Sequence, residues 1–359
     1  MSEPDAQLLS DRVSQSLLGV IDVFSIYLGD RLGFYRALAA DGAMTSLELA
    51  ERTGTTERYV REWLEQQAIT GILRCENAAN AFEARRFALP QMYQPLLADA
   101  ESGQSVTNWV RDFVGCLKPL PQLIDAFRTG AGIPYDAYGD DVREGQAASG
   151  KAKYRQKLGQ EWIAAMPDIA ARLMSDHPAR VADIGMGYGW SSIAIAETFP
   201  NALVDGFDLD PKSVEEATRN AGAAGVGDRV RFQIRDAADP GLAGNYDLAV
   251  AIECIHDMSN PVAALRALRG LVGDDGTVFV VDQRVAETFS PPGDDGERSK
   301  YGYSVFHCLP ISMVDQPSAA TGTIIRESTM RRYAEQAGFR SIDVLPIEDD
   351  TFRFYRMMG

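Results

Sequence analysis

Positive charge is scarce in this sequence. Of its 359 residues, 35 are Lys or Arg and 51 are Asp or Glu, which gives a formal net charge of −16 at pH 7. A chain this acidic repels phosphate backbones and anionic lipid headgroups. We therefore expect neither nucleic acid nor a membrane surface as a partner.

Cysteine and histidine are also few. No Cys-x-x-Cys pair occurs, which argues against a disulfide framework and against structural zinc. An all-histidine metal site would need every histidine in the chain, so we predict no metal. The residues concerned are Cys75, Cys116, Cys254, Cys308, His177, His256 and His307.

A basic leader and a long apolar run are both missing. The first five residues contain no Lys or Arg, and the apolar stretch 17–28 is interrupted by Asp22. These features fit neither a signal peptide nor a membrane-spanning helix. The sequence predicts a cytoplasmic protein.

What is present is the composition of a globular protein, with 45% hydrophobic and 24% charged residues. Since single cores stop growing near roughly 250 to 300 residues, a chain of this length predicts two cores. We place a winged-helix domain at 1–100, bridging helices and a linker at 101–170, and a second globular domain at 171–359.

The winged-helix prediction rests on residues 30–90. Thr45 and Glu48 form a capping box, Gly54 ends that helix, and a second amphipathic helix follows Thr56. Residues 72–74 and 86–89 would form the wing. A DNA reader needs a basic recognition helix, but residues 56–68 contain two Arg and three Glu. We expect a structural or dimer-forming module instead.

An amphipathic helix precedes this module, and its apolar stripe needs a partner surface. We therefore predict a homodimer assembled largely through residues 1–100. The stripe consists of Leu8, Leu9, Val13, Leu17, Leu18 and Ile21.

The bridging segment is predicted to be helical at 105–128, with an interruption near Pro119 and Pro121. The stretch 130–150 is rich in Gly, Asp and Ala, so we expect a mobile linker there. Another helix is predicted at 154–174.

Strand and helix signals then alternate, which predicts a doubly wound parallel sheet with helices on both faces. Ligands bind such sheets at the carboxyl ends of the strands, near the switch in strand order. We expect strands at 180–184, 203–207, 230–234, 248–252 and 277–281, helices at 191–198, 212–224 and 261–271, and a closing helix and strand pair at 328–339, 342–346 and 352–357.

The first predicted strand runs into the loop Asp183-Ile184-Gly185-Met186-Gly187-Tyr188-Gly189. A dinucleotide-binding loop would carry its third glycine where Trp190 stands. Acids also follow the next two strands, at Asp208 and Asp236. Three carboxylates, with no Lys or Arg in the loop, disfavour a pyrophosphate and suit a cationic ligand with a ribose diol.

Together these motifs resemble class I S-adenosylmethionine-dependent methyltransferases over about residues 179–282. The resemblance implies that S-adenosylmethionine is the cofactor, that the glycine loop approaches its methionyl part, that Asp208 holds the ribose hydroxyls, and that Asp236 with Ala237 meets the adenine. It implies a cofactor site of Asp183, Gly185, Met186, Gly187, Gly189, Asp208, Leu209, Asp236, Ala237 and Glu253. The alternative is that Asp208 caps a helix and Asp236 caps a turn.

The whole chain is similar to bacterial winged-helix methyltransferases of actinobacterial type, in the stretches 187–192, 206–210, 255–258 and 352–356. This similarity implies a small-molecule acceptor, methylated at a hydroxyl or an amine. More distantly, the chain resembles winged-helix O-methyltransferases in which a His-Asp pair follows the fourth strand, and this resemblance implies that His256 is a general base. An imidazole with its ordinary pKa near ~6.5 could accept that proton at neutral pH. The alternative is that His256 lines the pocket or caps a turn.

The segment 286–323 is too long for a simple connection, and long loops at the ligand end of a sheet usually take part in binding. We predict a substrate lid, or alternatively a helical insertion packed by its own aromatic residues. The residues that we expect to contact the acceptor are Trp190, Tyr301, Tyr303 and His307.

Two other functions fit parts of the chain. An NAD(P)-dependent oxidoreductase could be built on a similar sheet, although the third loop glycine is missing. A ligand-sensing regulator could be built on a winged helix, although its recognition helix is not basic.

Overall fold

The computed structural model describes residues 6–239, 241, 244–274 and 276–359. They form two compact units, Met1–Val114 with Glu144–Ser149 and Gly115–Arg143 with Gly150–Gly359. None of the described helices has the length and apolarity that crossing a membrane requires.

The first unit is mainly helical, and its two strands pair in antiparallel fashion as a small wing. The wing is shorter than predicted, with two residues in each strand. The elements are α1 (Ala6–Arg31), α2 (Phe34–Asp41), α3 (Ser46–Thr53), α4 (Glu57–Ile69), β1 (Arg74–Cys75), β2 (Phe87–Ala88), α5 (Gln94–Leu97) and α6 (Thr107–Cys116), which ends just inside the second unit.

Local signals account for these helices. The capping box is present, since Thr45 accepts a hydrogen bond from the Glu48 backbone and the Glu48 side chain accepts one from the Thr45 backbone. Gly54 ends α3 in the left-handed region, with φ of 66°. Helix α4 buries Val60 and Leu64 at helical spacing. The winged-helix prediction is confirmed in these features.

The bridging segment contains α7 (Leu120–Thr129), α8 (Asp140–Lys153) and α9 (Pro167–Leu173). Helix α8 continues without a break as a π-helix, Tyr154–Ile163. The predicted mobile linker at 130–150 is wrong from Asp140 onward. Asp140 and Asp141 lie in the first turn of α8, where negative charge favours the helix dipole.

The second unit is built on one seven-stranded sheet of order β5-β4-β3-β6-β7-β9-β8, in which β9 is antiparallel to its neighbours and β3 to β7 are parallel. Every strand and helix predicted for it after residue 179 lies within two residues of the observed bounds. The elements are β3 (Ala179–Ile184), α10 (Trp190–Thr198), β4 (Ala202–Asp208), α11 (Pro211–Ala223), β5 (Val230–Ile234), β6 (Leu248–Ile252), α12 (Pro261–Val272), β7 (Thr277–Gln283), α15 (Glu327–Ala337), β8 (Ser341–Val344) and β9 (Phe352–Met358).

The strand order reverses beside β3. From β3 the chain moves outward to β4 and β5, and it then returns to form β6 on the other side of β3. The central strand β6 is buried along its whole length, so its residues are apolar without alternation. The reversal opens a crevice at the carboxyl ends of β3 and β6, where sheets of this kind bind ligands.

The insertion between β7 and α15 is helical. It contains α13 (Asp295–Tyr303), a π-helical turn (Ser304–Cys308) and α14 (Leu309–Ser312). Tyr303 and Phe306 pack against the cluster formed by Cys116, Leu123, Ile133, Tyr138 and Val142. This agrees with the alternative of a helical insertion packed by its aromatic residues, while a lid role stays a prediction.

Candidate active site

The glycine loop after β3 leaves an open backbone surface. Gly185, Gly187 and Gly189 all have positive φ, between 52° and 79°. A Cβ at Gly185 would lie 2.7 Å from the Cβ of Cys254, so close packing also requires glycine there. A Cβ at Gly187 would meet nothing within 4 Å. The loop is therefore open to a ligand at Gly187.

Asp208 ends β4 beside this loop. Its carboxylate accepts hydrogen bonds from the backbone N–H groups of Gly187 and Asp210, each at 2.9 Å. Burial raises the pKa of Asp208, while these donors favour its charged form. The N-cap of α11 is Asp210, so Asp208 does not have the helix-capping role of the alternative.

Asp183 is the penultimate residue of β3 and is fully buried. Its Oδ2 accepts hydrogen bonds from the hydroxyls of Ser191 and Ser192, each at 2.6 Å. Its Oδ1 has no hydrogen-bond partner among the described residues, and burial raises the pKa of the carboxyl to about 6. A buried acceptor without a partner beside an open glycine loop fits a ligand that carries N–H and hydroxyl donors, as S-adenosylmethionine does.

The other predicted cofactor residues differ in burial and in their contacts. Met186 is buried, Leu209 is exposed, and Ala237 packs against the core of the sheet. Asp236 is exposed, and its Oδ1 accepts a hydrogen bond from the Ala238 backbone at 2.8 Å, the turn contact of the alternative. Their contact with adenine stays a prediction.

Glu253 lies just beyond β6 with φ of 56°, an uncommon backbone conformation for a residue with a side chain. Its Oε1 accepts a hydrogen bond from Gln283 at 2.9 Å, and its Oε2 lies 3.3 Å from the ammonium of Lys153. The adjacent Cys254 packs on Gly185. Glu253 therefore stands beside the glycine loop, at the end of the neighbouring strand.

His256 occupies a 3-10 turn, Ile255–Asp257, and is buried. Its Nδ1 lies 2.5 Å from Oδ1 of Asp282, the penultimate residue of β7. Its Nε2 lies 3.3 Å from Oδ1 of Asp257. A carboxylate at Asp282 requires the proton on Nδ1, which leaves Nε2 as the nitrogen that can accept one.

The pKa of His256 differs from its ordinary value. Burial opposes the charged imidazole, but the negative charges of Asp282 and Asp257 outweigh burial and raise the pKa well above 6.5. Burial also raises the pKa of Asp257 to about 6, despite the nearby imidazolium. This raised pKa departs from the reference value for histidine, because Asp282 lies beside His256 although the two are 26 residues apart in the chain.

Two residues of the insertion, His307 and Cys308, lie near His256 and Asp257. His307 is buried, its ring lies 4.7 Å from that of Tyr138, and its Nε2 has no hydrogen-bond partner among the described residues. Burial and the charge of His256 lower the pKa of His307 to about 3, so this imidazole is neutral.

One group among the described residues could hold a metal ion, since ligand atoms of His256, Asp257 and Cys308 lie within 4.8 Å of one another. Metal binding needs the thiolate form of cysteine. Burial raises the pKa of Cys308 to about 12, which opposes that form.

The remaining predicted acceptor residues lie in different surroundings. Trp190 begins α10, and its ring faces the side chains of Lys151 and Arg155. Tyr301 lines a cavity of about 330 Å³ with Phe289, Pro291 and Glu297. Tyr303 packs in the apolar cluster described above. The acceptor role of these residues stays a prediction.

Sequence reasoning missed Asp282 and Lys153. Asp282 follows the apolar run of β7, just as Asp183 and Asp208 lie at the ends of β3 and β4, so the same strand-end pattern could have revealed it. Lys153 carries no such signal, because it lies 100 residues from Glu253 in the chain.

Comparisons with known proteins agree with this geometry. Residues 181–276 match the family model of a methyltransferase domain, and residues 22–95 match an Rv2258c-like winged HTH domain. The trans-aconitate 2-methyltransferase of Streptomyces avermitilis is 33% identical over 100 residues, which is 28% of this chain and 35% of that protein. The matching segment thus spans about a third of that relative.

Longer matches have lower identity. The mitomycin biosynthesis 6-O-methyltransferase of Streptomyces lavendulae is 24% identical over 77% of this chain and 78% of its own length. The solved structure of mitomycin 7-O-methyltransferase has a TM-score of 0.70 at 20% identity, covering 98% of both chains. Human N-acetylserotonin methyltransferase, solved with its SAM ligand, has a TM-score of 0.66 at 16% identity, covering 100% of this chain and 99% of that one. The chain combines a methyltransferase domain with an N-terminal Rv2258c-like winged helix-turn-helix domain.

Proposed function

We propose that this chain transfers a methyl group from S-adenosylmethionine to a hydroxyl or an amine of a small-molecule acceptor. The observation that carries the proposal is the open glycine loop at Gly187, hydrogen-bonded to Asp208, within a matched methyltransferase domain. The matched O-methyltransferases support a small-molecule acceptor.

Residues at the ends of β3 and β4 would bind the cofactor, and residues at the ends of β6 and β7 would transfer the proton. Asp208 and the backbone at Gly187 would hold the ribose and the methionyl part. When bound, the cofactor supplies a methyl group on a good leaving group, so orienting the acceptor is the main requirement. His256 would accept the acceptor's proton at Nε2, while Asp282 holds the imidazole and stabilises its charged form.

A conversion assay tests the proposal. The full chain is incubated with S-adenosylmethionine and a panel of hydroxylated and amine metabolites, and products are analysed by mass spectrometry. We expect donor-dependent addition of one methyl group to at least one compound. Binding of a nicotinamide cofactor, with no binding of S-adenosylmethionine or S-adenosylhomocysteine, would contradict the proposal and favour an oxidoreductase.

The acceptor would approach from the side of the insertion. His307 offers a neutral imidazole with an unpartnered Nε2, which suits a polar group of an uncharged acceptor. We propose that the insertion acts as a lid over this side, with Trp190, Tyr301 and Tyr303 as further candidate contacts.

We also propose that no metal takes part.

We propose a homodimer formed through the N-terminal unit. Helix α1 buries Gly29 and Asp30, while its large apolar side chains are exposed, including Leu8 at 66% and Leu17 at 60%. An apolar stripe of this length needs a covering surface. Light scattering should find a dimer at micromolar concentration, and removal of residues 1–24 should give a monomer. A monomeric full chain, or a dimer that survives the deletion, would contradict this.

We propose that the winged helix has no nucleic-acid role. Arg58 and Arg61 of α4 pair with Glu62 and Glu57 at 2.6 Å, so their charges are already matched. Tight binding of duplex DNA at low salt would contradict this.

We also propose a cytoplasmic location. Cys75, Cys254 and Cys308 form no disulfide within the part of the chain that the structure describes, and reduced thiols are usual in the cytosol.

A further inference from the structure

A pair of opposite charges, Lys153 and Glu253, lies at the carboxyl end of β6. The Lys153 ammonium and the Glu253 carboxylate lie 3.3 Å apart, and their side chains are 28% and 30% exposed. Lys153 lies at the end of α8, where the π-helix begins, and its ammonium also lies 4.2 Å from the centre of the Phe352 ring. The pair is therefore fixed in place but remains accessible to solvent.

The pair adjoins the glycine loop rather than a remote surface. Cys254, the next residue after Glu253, donates its thiol to the Ile184 carbonyl at 3.3 Å and packs on Gly185. Tyr154, the next residue after Lys153, is influenced by the charges of Glu253 and Asp183; burial, with these charges, raises its pKa well above the ordinary value. Both members of the pair thus have chain neighbours at the end of β3.

Charge makes this pair chemically distinct from the rest of the crevice. The side chains at the ends of β3, β4 and β7, those of Asp183, Asp208 and Asp282, are acids. An α-amino acid group carries a carboxylate as well as an ammonium, and acids alone would repel the carboxylate. A lysine beside a glutamate matches both charges side by side.

The backbone at Glu253 supports the same conclusion. Its φ of 56° is unfavourable for a residue with a side chain, and such conformations cluster at ligand-binding sites. The side chain is held on its other oxygen by Gln283 at 2.9 Å. The strained backbone and the two partners of the carboxylate, Gln283 and Lys153, hold the Glu253 side chain in one position, as a ligand-binding group requires.

We propose that Lys153 and Glu253 form the receptor for the zwitterionic amino-acid end of the cofactor, Lys153 binding its carboxylate and Glu253 its ammonium. This inference rests on the proposed function. It adds Lys153, which lies outside the matched methyltransferase domain, to the cofactor site.

Calorimetry with three probes tests the receptor in the full chain. S-adenosylhomocysteine carries both charges, its decarboxylated analogue carries the ammonium, and 5′-methylthioadenosine carries neither. We expect Lys153→Met to weaken binding of S-adenosylhomocysteine by about tenfold or more, since a charge-assisted contact is lost, and to leave the other two affinities unchanged. Glu253→Gln should weaken both amine-bearing probes and leave 5′-methylthioadenosine unchanged.

Lys157→Met is the matched control. Lys157 lies one turn further along the same helix, 4.0 Å from Asp349, and this variant should bind all three probes as the wild type does. Lys153→Arg, which keeps the charge, should retain most of the affinity for S-adenosylhomocysteine. Circular dichroism checks folding of each variant.

The outcomes separate this inference from the function on which it rests. If the wild type binds S-adenosylhomocysteine but Lys153→Met binds it equally well, or loses equal affinity for all three probes, the receptor is overturned and the proposed function stands. If the wild type binds none of the probes, the proposed function fails and the receptor with it. Should Lys153→Met not fold, Glu253→Gln decides by the same criterion.

Discussion

At the ends of β3 and β4, Asp183 and Asp208 are held by neutral donors, the Ser191 hydroxyl and the Gly187 backbone among them. At the end of β7, Asp282 is instead held 2.5 Å from the His256 imidazole. Within the described residues, neither of the first two carboxylates forms an ion pair with Lys or Arg. The carboxylate of Asp282, by contrast, is paired with a histidine of the same chain.

This difference has a chemical consequence. A carboxylate held by neutral donors keeps its charge and remaining lone pairs for a ligand, which suits binding. A carboxylate paired with imidazole orients the ring and makes it a stronger base, which suits proton transfer. The two regions would therefore respond differently to substitution, the first in affinity and the second in turnover.

The largest effect is expected at His256. His256→Gln should lower turnover by about 10²- to 10⁴-fold, the usual contribution of a positioned general base, and leave affinity for S-adenosylhomocysteine unchanged. Steady-state kinetics and calorimetry measure the two quantities. A loss of only a few-fold would make His256 a wall of the pocket, and equal loss of cofactor affinity would make its role structural.

The pH dependence sharpens this prediction. Despite burial, the negative charges of Asp282 and Asp257 raise the pKa of His256 well above 6.5. The neutral, proton-accepting form increases as pH rises, so kcat/KM should rise through that raised pKa and then level off. An unchanged pH profile in His256→Gln would contradict the assignment.

A smaller effect is expected at Asp282. Asp282→Asn removes the negative charge that raises the pKa of His256, so the midpoint of the kcat/KM profile should move to lower pH. Turnover at the plateau should fall by roughly 10- to 10³-fold, because the imidazole loses the partner that fixes its tautomer. A profile with the wild-type midpoint would show that Asp282 does not act through His256.

At Asp208 the effect should appear in binding. Asp208→Ala should weaken S-adenosylhomocysteine by about tenfold or more, since charge-assisted hydrogen bonds are worth about 1.5 to 3 kcal/mol each. The exposed Asp228 provides a control, and Asp228→Ala should bind normally. Calorimetry that finds wild-type affinity in a folded Asp208→Ala would remove Asp208 from the cofactor site.

The smallest effect is expected from metal removal. Dialysis against a strong chelator should leave turnover unchanged, because the raised pKa of Cys308 opposes the thiolate that a metal would need. Elemental analysis of the purified chain provides the independent measurement. One equivalent of bound zinc, with activity lost on its removal, would contradict the prediction.

The sequence by itself determined the sheet and one side of the site. Alternating strand and helix patterns are local, so each predicted element from β3 onward lies within two residues of the observed one. The glycines that need positive φ and the acids at strand ends are also visible locally, as at Gly187 and Asp208. The linker prediction failed because the Gly- and Asp-rich composition of residues 130–150 is typical of a linker, although α8 begins at Asp140.

Only the tertiary structure decided which distant charges meet. His256 and Asp282 are 26 residues apart in the chain, and Lys153 and Glu253 are 100 apart. The first pair forms because β6 and β7 are neighbouring parallel strands whose carboxyl ends share an edge. The second forms because α8 ends at Lys153 close to the carboxyl end of β6, where Glu253 stands. No local sequence pattern encodes this contact between residues so far apart in the chain.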